Sequence, residues 1–258
     1  MEDSSNNKLI QTEKLLSLIL SLFKRVTKLF YECKSGEFYP KINTKAKDEK
    51  FTDADYIIEK MFENNIYKYF PGLRIVGEED TSTNLIPDSQ YYTTDEVDFD
   101  ILKETELISG LEDVLVDDLC LFIDPIDSTE QFIKRNYLPV TSLVGITKDS
   151  KPFIGFIHYP LYEGKENNSL TFFNIPNKGI FSHNIFTDEI KQVNFSKKDV
   201  NEWIFVTSST NTNKNMIDVI DSFENSARVT ASGLGNKAMA CVLYDQLYLS
   251  SGKSKNLF

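Results

Sequence analysis

The run LCLFIDPIDST, residues 119–129, constrains this chain more than any other stretch, because an apolar segment there ends in two acids. Its first half has the β-type composition of a buried strand, and Pro125 stops that strand since proline fixes its own φ and lacks an N–H. Asp124, Asp127 and the Ile126 carbonyl can then point into one pocket. Closely spaced hard oxygens suit Mg²⁺, which takes one or two carboxylates together with water and substrate phosphate. The run therefore predicts a cation site at the carboxyl end of a strand.

A second apolar run ends in the same way. RIVGEED, residues 74–80, reads as a short buried strand that runs into Glu78 and Glu79. If the two strands are neighbours, their acids form one cluster that is open to solvent. Taken alone, Asp124 is equally consistent with an ordinary Asp-Pro turn, and Glu78 with a surface residue. The pair of motifs together favours the cluster.

Ser128 and Thr129 open the segment STEQFIKRN, which can form a short helix. The first N–H groups of a helix have no partner within it, so they can bind phosphate beside the predicted cations. An ordinary Ser/Thr N-cap is the alternative, and both roles are compatible. Cations on one side of a phosphate and helix amides on the other describe hydrolytic phosphoryl transfer.

Composition excludes several classes of partner. The chain has 258 residues and a formal net charge of −11, which argues against nucleic acid and anionic membranes and leaves small molecules and cations. The three cysteines form no CxxC pair, so we expect a reducing, cytoplasmic setting. The apolar stretch 15–23 follows an acidic start and is short of a membrane span, so it predicts one face of a soluble helix.

The order of the elements predicts an α+β fold. Two helices are expected first, one from Lys8 to about Cys33 and one that begins at Thr52 or Asp53 and ends at Pro71-Gly72. The acidic segment 81–118 reads as an exposed insertion. Three β-rich segments then predict an antiparallel meander, with one turn at 148–150. His158, in one of these segments, is expected to be structural rather than catalytic.

From about Asn201 the rhythm changes to strand, helix, strand, helix, strand, which predicts a second α/β unit. We therefore expect a layered αβαβα sandwich. An α+β domain over 1–199 carries the metal site. A smaller α/β domain over 200–258 looks truncated, because it ends directly after a strand.

The motifs GEED (77–80) and DPIDST (124–129) resemble those of the lithium-sensitive, magnesium-dependent phosphomonoesterases of the inositol monophosphatase superfamily. The lead-in 52–80 and the segment SGLGNKA (232–238) support the resemblance, which extends from about Asp53 onward. It implies a hydrolase that binds two or three Mg²⁺ ions, is inhibited by Li⁺ and acts on a small phosphorylated substrate.

The resemblance also implies roles for single residues. One Mg²⁺ is held by Glu78, Asp124 and the Ile126 carbonyl. Asp124 and Asp127 share a second ion, and Glu79 assists a third through water.

Thr129, hydrogen-bonded to Asp55, is expected to orient the attacking water without a covalent phosphoenzyme. The residues expected to bind substrate are Ser128, Thr129, Thr210, Gly233, Gly235 and Lys237. The glycines and Lys237 are a weak signal by themselves, since GxGNK is also an ordinary strand-to-helix turn.

Within the superfamily, two substrate classes remain open. Ser128 stands where inositol monophosphatases and nucleotidases usually have glycine, which favours an inositol polyphosphate 1-phosphatase acting on inositol 1,4-bisphosphate. VGEED and the GLGNK loop resemble the 3′(2′),5′-bisphosphate nucleotidases equally, although Asn211 stands where a nucleotidase histidine is expected. A dual activity or an inactive cation-binding relative are further alternatives, and the oligomeric state, monomer or dimer, is undetermined.

One departure concerns the family's later WDxxA motif, which supplies another aspartate to the second metal. The only Trp is Trp203, and the sequence stops at GKSKNLF, about where that motif is expected. We therefore expect a shortened form of a longer protein, with weak binding of the second metal and low or no activity.

Overall fold

The computed structural model describes residues 8–44, 50–79, 92, 94, 96–103, 111–164, 167–194, 203–208 and 213–244, with backbone only at 241–244. In chain order the strands are β1 (Leu9–Ile10), β2 (Ile42–Thr44), β3 (Lys50–Thr52), β4 (Arg74–Gly77), β5 (Val114–Leu115), β6 (Leu119–Asp127), β7 (Thr141–Lys148), β8 (Lys151–Tyr159), β9 (Leu170–Ile175), β10 (Gly179–Asn184), β11 (Ile190–Gln192), β12 (Trp203–Ser208) and β13 (Ser226–Ala231). The helices are α1 (Thr12–Ser35), α2 (Asp53–Tyr69), α3 (Thr129–Ile133), α4 (Lys214–Asp221) and α5 (Leu234–Tyr244), with short 3-10 helices at Val116–Asp118 and Tyr162–Gly164.

A seven-stranded sheet forms the centre of the described structure, in the order β11-β10-β9-β8-β7-β6-β4. Strands β6 to β11 pair antiparallel, which confirms the predicted meander, and β4 joins the sheet parallel to β6. Asp149 and Ser150 join β7 to β8 with φ values of 51° and 61°. Two successive positive φ values are typical of a type I′ turn, whose twist matches that of the hairpin strands.

The two faces of this sheet are covered by different helices. The core between the sheet and helices α1 and α2 includes Phe23, Phe62 and Phe156. Helix α5 lies on the opposite face, where its Met239 packs with Phe172. Helix α5 also contacts β12 and β13, which form a separate parallel pair. These successive layers confirm the predicted layered fold class.

The predicted rhythm after residue 201 is found as β12, α4, β13 and α5. The last predicted strand, residues 246–251, falls outside the described residues. The division into domains at 199/200 stays a prediction.

Helix α1 is buried more completely than the sequence predicted. Each residue from Leu15 to Phe23 is buried, so the prediction of a single apolar face is wrong for this stretch. Phe23 stacks on His158 of the sheet, with ring centroids 4.5 Å apart. On another side Ser21 exchanges hydrogen bonds with the backbone of Asp98. The sheet and the segment around Asp98 together enclose the helix. Among the described helices, none is both long and apolar enough to cross a membrane.

The acidic segment 81–118 is not simply an exposed insertion in the parts that are described. Leu102 is completely buried, and Phe99 packs edge-on against Tyr69 with ring centroids 5.0 Å apart. Val114 pairs with Ile10 in a two-stranded sheet. Apolar residues scattered among the acids therefore attach this segment to the core, a pattern too irregular to show as periodicity.

Candidate metal centre

The two acid-ended strands lie side by side, as predicted. Strands β4 and β6 are parallel, and their register pairs Gly77 with Ile123. The next residues, Glu78 and Asp124, therefore leave the sheet at the same edge. Because carboxyl ends of parallel strands meet at one edge, two acids distant in sequence come together here.

Asp124 is the most strongly perturbed acid of this edge. Burial is the largest cause that raises the pKa of its carboxyl to about 9, and the negative charges of Glu78, Asp127 and Asp55 contribute to the same shift. Its Oδ1 atom is buried and has no hydrogen-bond partner among the described residues. A buried carboxylate surrounded by like charges is stabilised by a cation.

Asp127 has a role that the sequence did not reveal. Its Oδ1 accepts the N–H of Leu234 at 2.8 Å, and its Oδ2 accepts the N–H of Gly235 at 2.7 Å. The Thr141 hydroxyl also donates to Oδ2, at 3.0 Å. Asp127 thus caps the beginning of α5, where a negative charge complements the helix dipole. Oδ1 accepts one hydrogen bond and Oδ2 accepts two, so a lone pair on Oδ1 stays available for a cation.

Asp55 and Thr129 lie together, as the resemblance implied. Thr52 caps α2 in a capping box, and its N–H and hydroxyl donate to Asp55 Oδ2 at 2.7 and 2.6 Å. The Thr129 hydroxyl lies 3.5 Å from Asp55 Oδ1 and donates to the Ile126 carbonyl at 2.9 Å. Burial is the largest cause that raises the pKa of Asp55 to about 7, against the lowering effect of the two Thr52 bonds.

Ser128 occupies the N-cap position of α3 but makes no capping hydrogen bond with its side chain, so the alternative of an ordinary serine N-cap does not hold for its hydroxyl. The residue has a left-handed backbone, with φ of 77° and ψ of 45°, and its buried Oγ has no partner among the described residues. Only its carbonyl serves the helix, by accepting the N–H groups of Gln131 and Phe132. The left-handed conformation costs a non-glycine residue energy, and the sequence did not indicate it.

Glu59 is a buried acid that sequence reasoning missed. Its side chain is fully buried, and its Oε2 accepts the backbone N–H of Glu79 at 2.9 Å. Burial, the largest cause, raises the pKa of Glu59 to about 7, although the backbone N–H groups of Glu79 and Glu78 favour its ionised form. Its position four residues after Asp55 on one helix was the available signal, because residues i and i+4 share a face.

Four of the residues expected to bind substrate lie at or beside the start of α5, namely Ser128, Gly233, Gly235 and Lys237. Gly233 has φ of 76°, and a Cβ added there would lie 2.5 Å from both Asp127 Oδ2 and Ser128 Oγ. A Cβ on Gly235 would lie 2.6 Å from the Thr141 hydroxyl. Lys237 lies within the first turn of α5. Thr210 and Asn211 fall outside the described residues.

The donor set fits a hard divalent cation in chemistry. Glu78, Asp124 and the Ile126 carbonyl offer oxygen at one sheet edge, and Asp124 Oδ1 lacks a partner among the described residues. In the described part of the chain, no three His, Cys, Asp or Glu side chains already surround one point as ligands do. The edge therefore supplies suitable oxygens, while Asp127 is directed at α5.

His158 lies away from this edge and is buried among polar partners. Its Nε2 is 3.1 Å from the Thr27 hydroxyl and its Nδ1 is 2.9 Å from the Thr171 hydroxyl. Burial lowers its pKa well below the ordinary value. These contacts support the predicted structural role.

Comparison with known proteins agrees with this geometry. A sequence profile described as the inositol monophosphatase family matches residues 9–252. The chain is 26% identical over 196 residues to 3′(2′),5′-bisphosphate nucleotidase 1 of Homo sapiens, and the match covers 74% of this chain and 59% of that relative. The chain thus spans less than two thirds of the length of this curated relative.

Solved structures show the same fold. An IMPase/NADP phosphatase complexed with Mg²⁺ and phosphate superposes with a TM-score of 0.62 at 16% identity, covering 93% of this chain and 76% of that one. A staphylococcal inositol monophosphatase in a LiCl-soaked inhibitory complex gives a TM-score of 0.62 at 17% identity, with 94% and 76% covered.

Proposed function

The chain belongs to the inositol monophosphatase family, and we propose that it is a Mg²⁺-dependent phosphomonoesterase acting on small, multiply phosphorylated substrates. The observation that carries the proposal is the pairing of β4 with β6, which brings Glu78 beside the half-buried Asp124. Asp124 Oδ1 has no protein partner among the described residues, and the charges around it are negative. Such a site favours a cation together with the anionic phosphate it would hold.

In this proposal, one group of residues binds the cations and another orients the nucleophile. A divalent cation at this edge supplies positive charge for the phosphate and the leaving oxygen. Glu78, Asp124 and the Ile126 carbonyl would hold the first ion. Asp127 would contribute to a second, and Glu79 would assist a third through water.

Thr129 and Asp55 act on the nucleophile in this proposal. The Thr129 hydroxyl lies between Asp55 Oδ1 and the Ile126 carbonyl, at 3.5 and 2.9 Å. When its single proton turns from the Ile126 carbonyl to Asp55, the hydroxyl can accept a hydrogen bond from a water, which orients the water for in-line attack on phosphorus. The Thr52 bonds to Oδ2 leave Oδ1 directed at Thr129.

A 3′(2′),5′-bisphosphate nucleotide is the first candidate substrate. The human relative named 3′(2′),5′-bisphosphate nucleotidase 1 matches 74% of the chain. Inositol 1,4-bisphosphate, cleaved at its 1-phosphate, is the second candidate, and Ser128 in the place of the usual glycine favours it. Both substrates carry two phosphates on a small polar body.

Phosphate release from 3′-phosphoadenosine 5′-phosphate and from inositol 1,4-bisphosphate tests the proposal. We expect release of one phosphate from at least one of them in the presence of Mg²⁺, and inhibition by added Li⁺. The preferred substrate decides between the two candidates. Asp117→Asn, on an exposed acid, serves as the matched control for Asp124→Asn, which is expected to abolish release.

Two results would contradict the proposal. One is turnover of neither substrate by the unaltered protein although it binds Mg²⁺, which identifies an inactive cation-binding relative. The other is unchanged turnover in the Asp124→Asn variant.

A further inference from the structure

Glu59 holds the backbone of the turn that follows β4. It lies on α2, one helical turn after Asp55, and its side chain is fully buried. Its Oε2 accepts the N–H of Glu79 at 2.9 Å. A hydrogen bond from a backbone N–H to a carboxylate is stronger than one between neutral groups. The bond therefore fixes the end of the turn that presents Glu78.

Gly77 secures the other end of the same turn. A Cβ added to Gly77 would overlap the Glu59 carboxylate, which occupies the space where a side chain would stand. The absence of a Cβ is what allows the acid of α2 to approach the end of β4. Glu78 is thus bracketed, with Gly77 packed on Glu59 before it and the Glu79 N–H bound to Glu59 after it.

Helix α2 also orients Asp55 toward Thr129. One rigid helix therefore sets both the Asp55 carboxylate and the turn that carries Glu78. The residues i and i+4 of a helix lie on the same face, so no further element has to mediate this relation.

We propose that Glu59 is a positioning residue that directs the Glu78 carboxylate toward Asp124 by clamping the backbone between Gly77 and Glu79. The inference rests on the proposed function of this sheet edge as a cation site. The backbone of the turn occupies Glu59 Oε2, while the buried Oε1 has no hydrogen-bond partner among the described residues.

Two substitutions of Glu59 distinguish loss of its hydrogen bond to the Glu79 N–H from a general loss of stability. Glu59→Leu keeps an apolar volume of similar size but removes the acceptor of the Glu79 N–H. Glu59→Gln keeps size and an acceptor oxygen, so it restores the clamp. Glu63, one turn further along α2 and paired with Lys60 at 3.0 Å, provides the matched controls Glu63→Leu and Glu63→Gln.

The measurements are Mn²⁺ binding by calorimetry and amide hydrogen exchange over residues 74–79 in metal-free protein. We expect Glu59→Leu to weaken Mn²⁺ binding by about tenfold or more, as loss of groups that orient metal ligands does. It should also speed exchange at 78 and 79. Glu59→Gln and both Glu63 variants should stay near the unaltered protein in both measurements.

Equal Mn²⁺ affinity and equal exchange in Glu59→Leu and Glu63→Leu would overturn the inference. Faster exchange with unchanged affinity would also overturn it, because the clamp would then not act on the ligands. The measurements also distinguish failure of the proposed function from failure of this inference. If the proposed function fails, the unaltered protein binds Mn²⁺ and releases no phosphate, while the binding comparison among the variants still decides the role of Glu59.

Discussion

The carboxylate of Asp127 accepts a hydrogen bond of 2.7 Å from the backbone N–H of Gly235, which lies 108 residues further along the chain. The last residue of β6 is thereby attached to the first turn of α5. The same carboxylate belongs to the expected ligands of the second cation. Attachment of α5 and binding of that cation therefore draw on the same two oxygen atoms.

Asp127→Ala tests whether Asp127 stabilises the protein by attaching α5 to β6. The substitution leaves the N–H groups of Leu234 and Gly235 and the Thr141 hydroxyl without their acceptor. We expect the free energy of unfolding to fall by about 2–3 kcal/mol, since a bond to a charged group contributes ~1.5–3 kcal/mol. Urea denaturation in metal-free buffer measures it. Asp117→Ala, on an exposed acid, is the control, and equal stability of the two variants would contradict the capping role.

Gly77→Ala tests the close approach of Glu59. The added methyl group overlaps the Glu59 carboxylate, so we expect a loss of about 1–3 kcal/mol, the usual cost of overpacking. Gly145→Ala in β7 is the control, because the nearest atom to its Cβ is 4.0 Å away.

A double variant identifies the cause of that loss. In the Glu59→Ala background the overlap is absent, and Gly77→Ala should there cost markedly less. Thermal melts of the four proteins give the coupling. Additive losses would show that Gly77 is needed for another reason.

Ser128→Gly should stabilise the protein. Ser128 has φ of 77°, a region that costs an L-residue with a Cβ roughly 1 kcal/mol or more. Ser128→Ala removes the hydroxyl but keeps the Cβ, so it should bring none of this gain. The comparison of the two melting temperatures is the measurement. A gain in the alanine variant equal to that in the glycine variant would assign the effect to the unpartnered hydroxyl instead.

The buried His158 should make stability depend on pH. Its folded-state pKa is lowered by burial and, to a lesser extent, by His183 two strands away, while the unfolded chain takes up a proton near pH 6.5. Its contribution is therefore complete above pH 6.5 and is lost as the pH falls, by ~1.4 kcal/mol between pH 7.5 and 5.5.

His158→Gln should remove that part of the slope. The raised pKa values of Asp55 and Asp124 act in the opposite direction, so the difference between variant and unaltered protein is the quantity to compare. His183→Gln serves as a second variant, because burial lowers the pKa of His183 as well. Parallel curves for His158→Gln and the unaltered protein would contradict the prediction.

Structural features that are set by residues close together in the chain could be predicted from local sequence patterns. The cap at Thr52, the turn at 149–150 and the meander follow from residue types within a few positions. The adjacency of Glu78 and Asp124 was predictable because two apolar runs end in acids. By contrast, the burial of every residue from Leu15 to Phe23 depends in part on Asp98, which comes from an acidic segment whose periodicity is weak.

The finer features of the site depend on contacts between distant residues. No local pattern indicates that Asp127 caps α5 or that Gly77 makes room for Glu59. The left-handed backbone of Ser128 is not indicated by serine itself, which is uncommon in that conformation, and only the glycine usual at this position in similar proteins pointed to it. Such features become visible only in the folded structure, where the assembled sheet brings these distant residues together.

The parallel pairing of β4 with β6 also has a consequence for the order of folding. The hairpin of β7 and β8 closes over a two-residue turn, whereas the Gly77–Ile123 pairing needs the whole connection 78–118 to return to the sheet. Contacts between residues far apart in sequence form slowly, because loop closure costs entropy before the contact contributes. We therefore expect the meander to form first and the acids of the two strands to meet last, when the apolar core that holds them together is already in place.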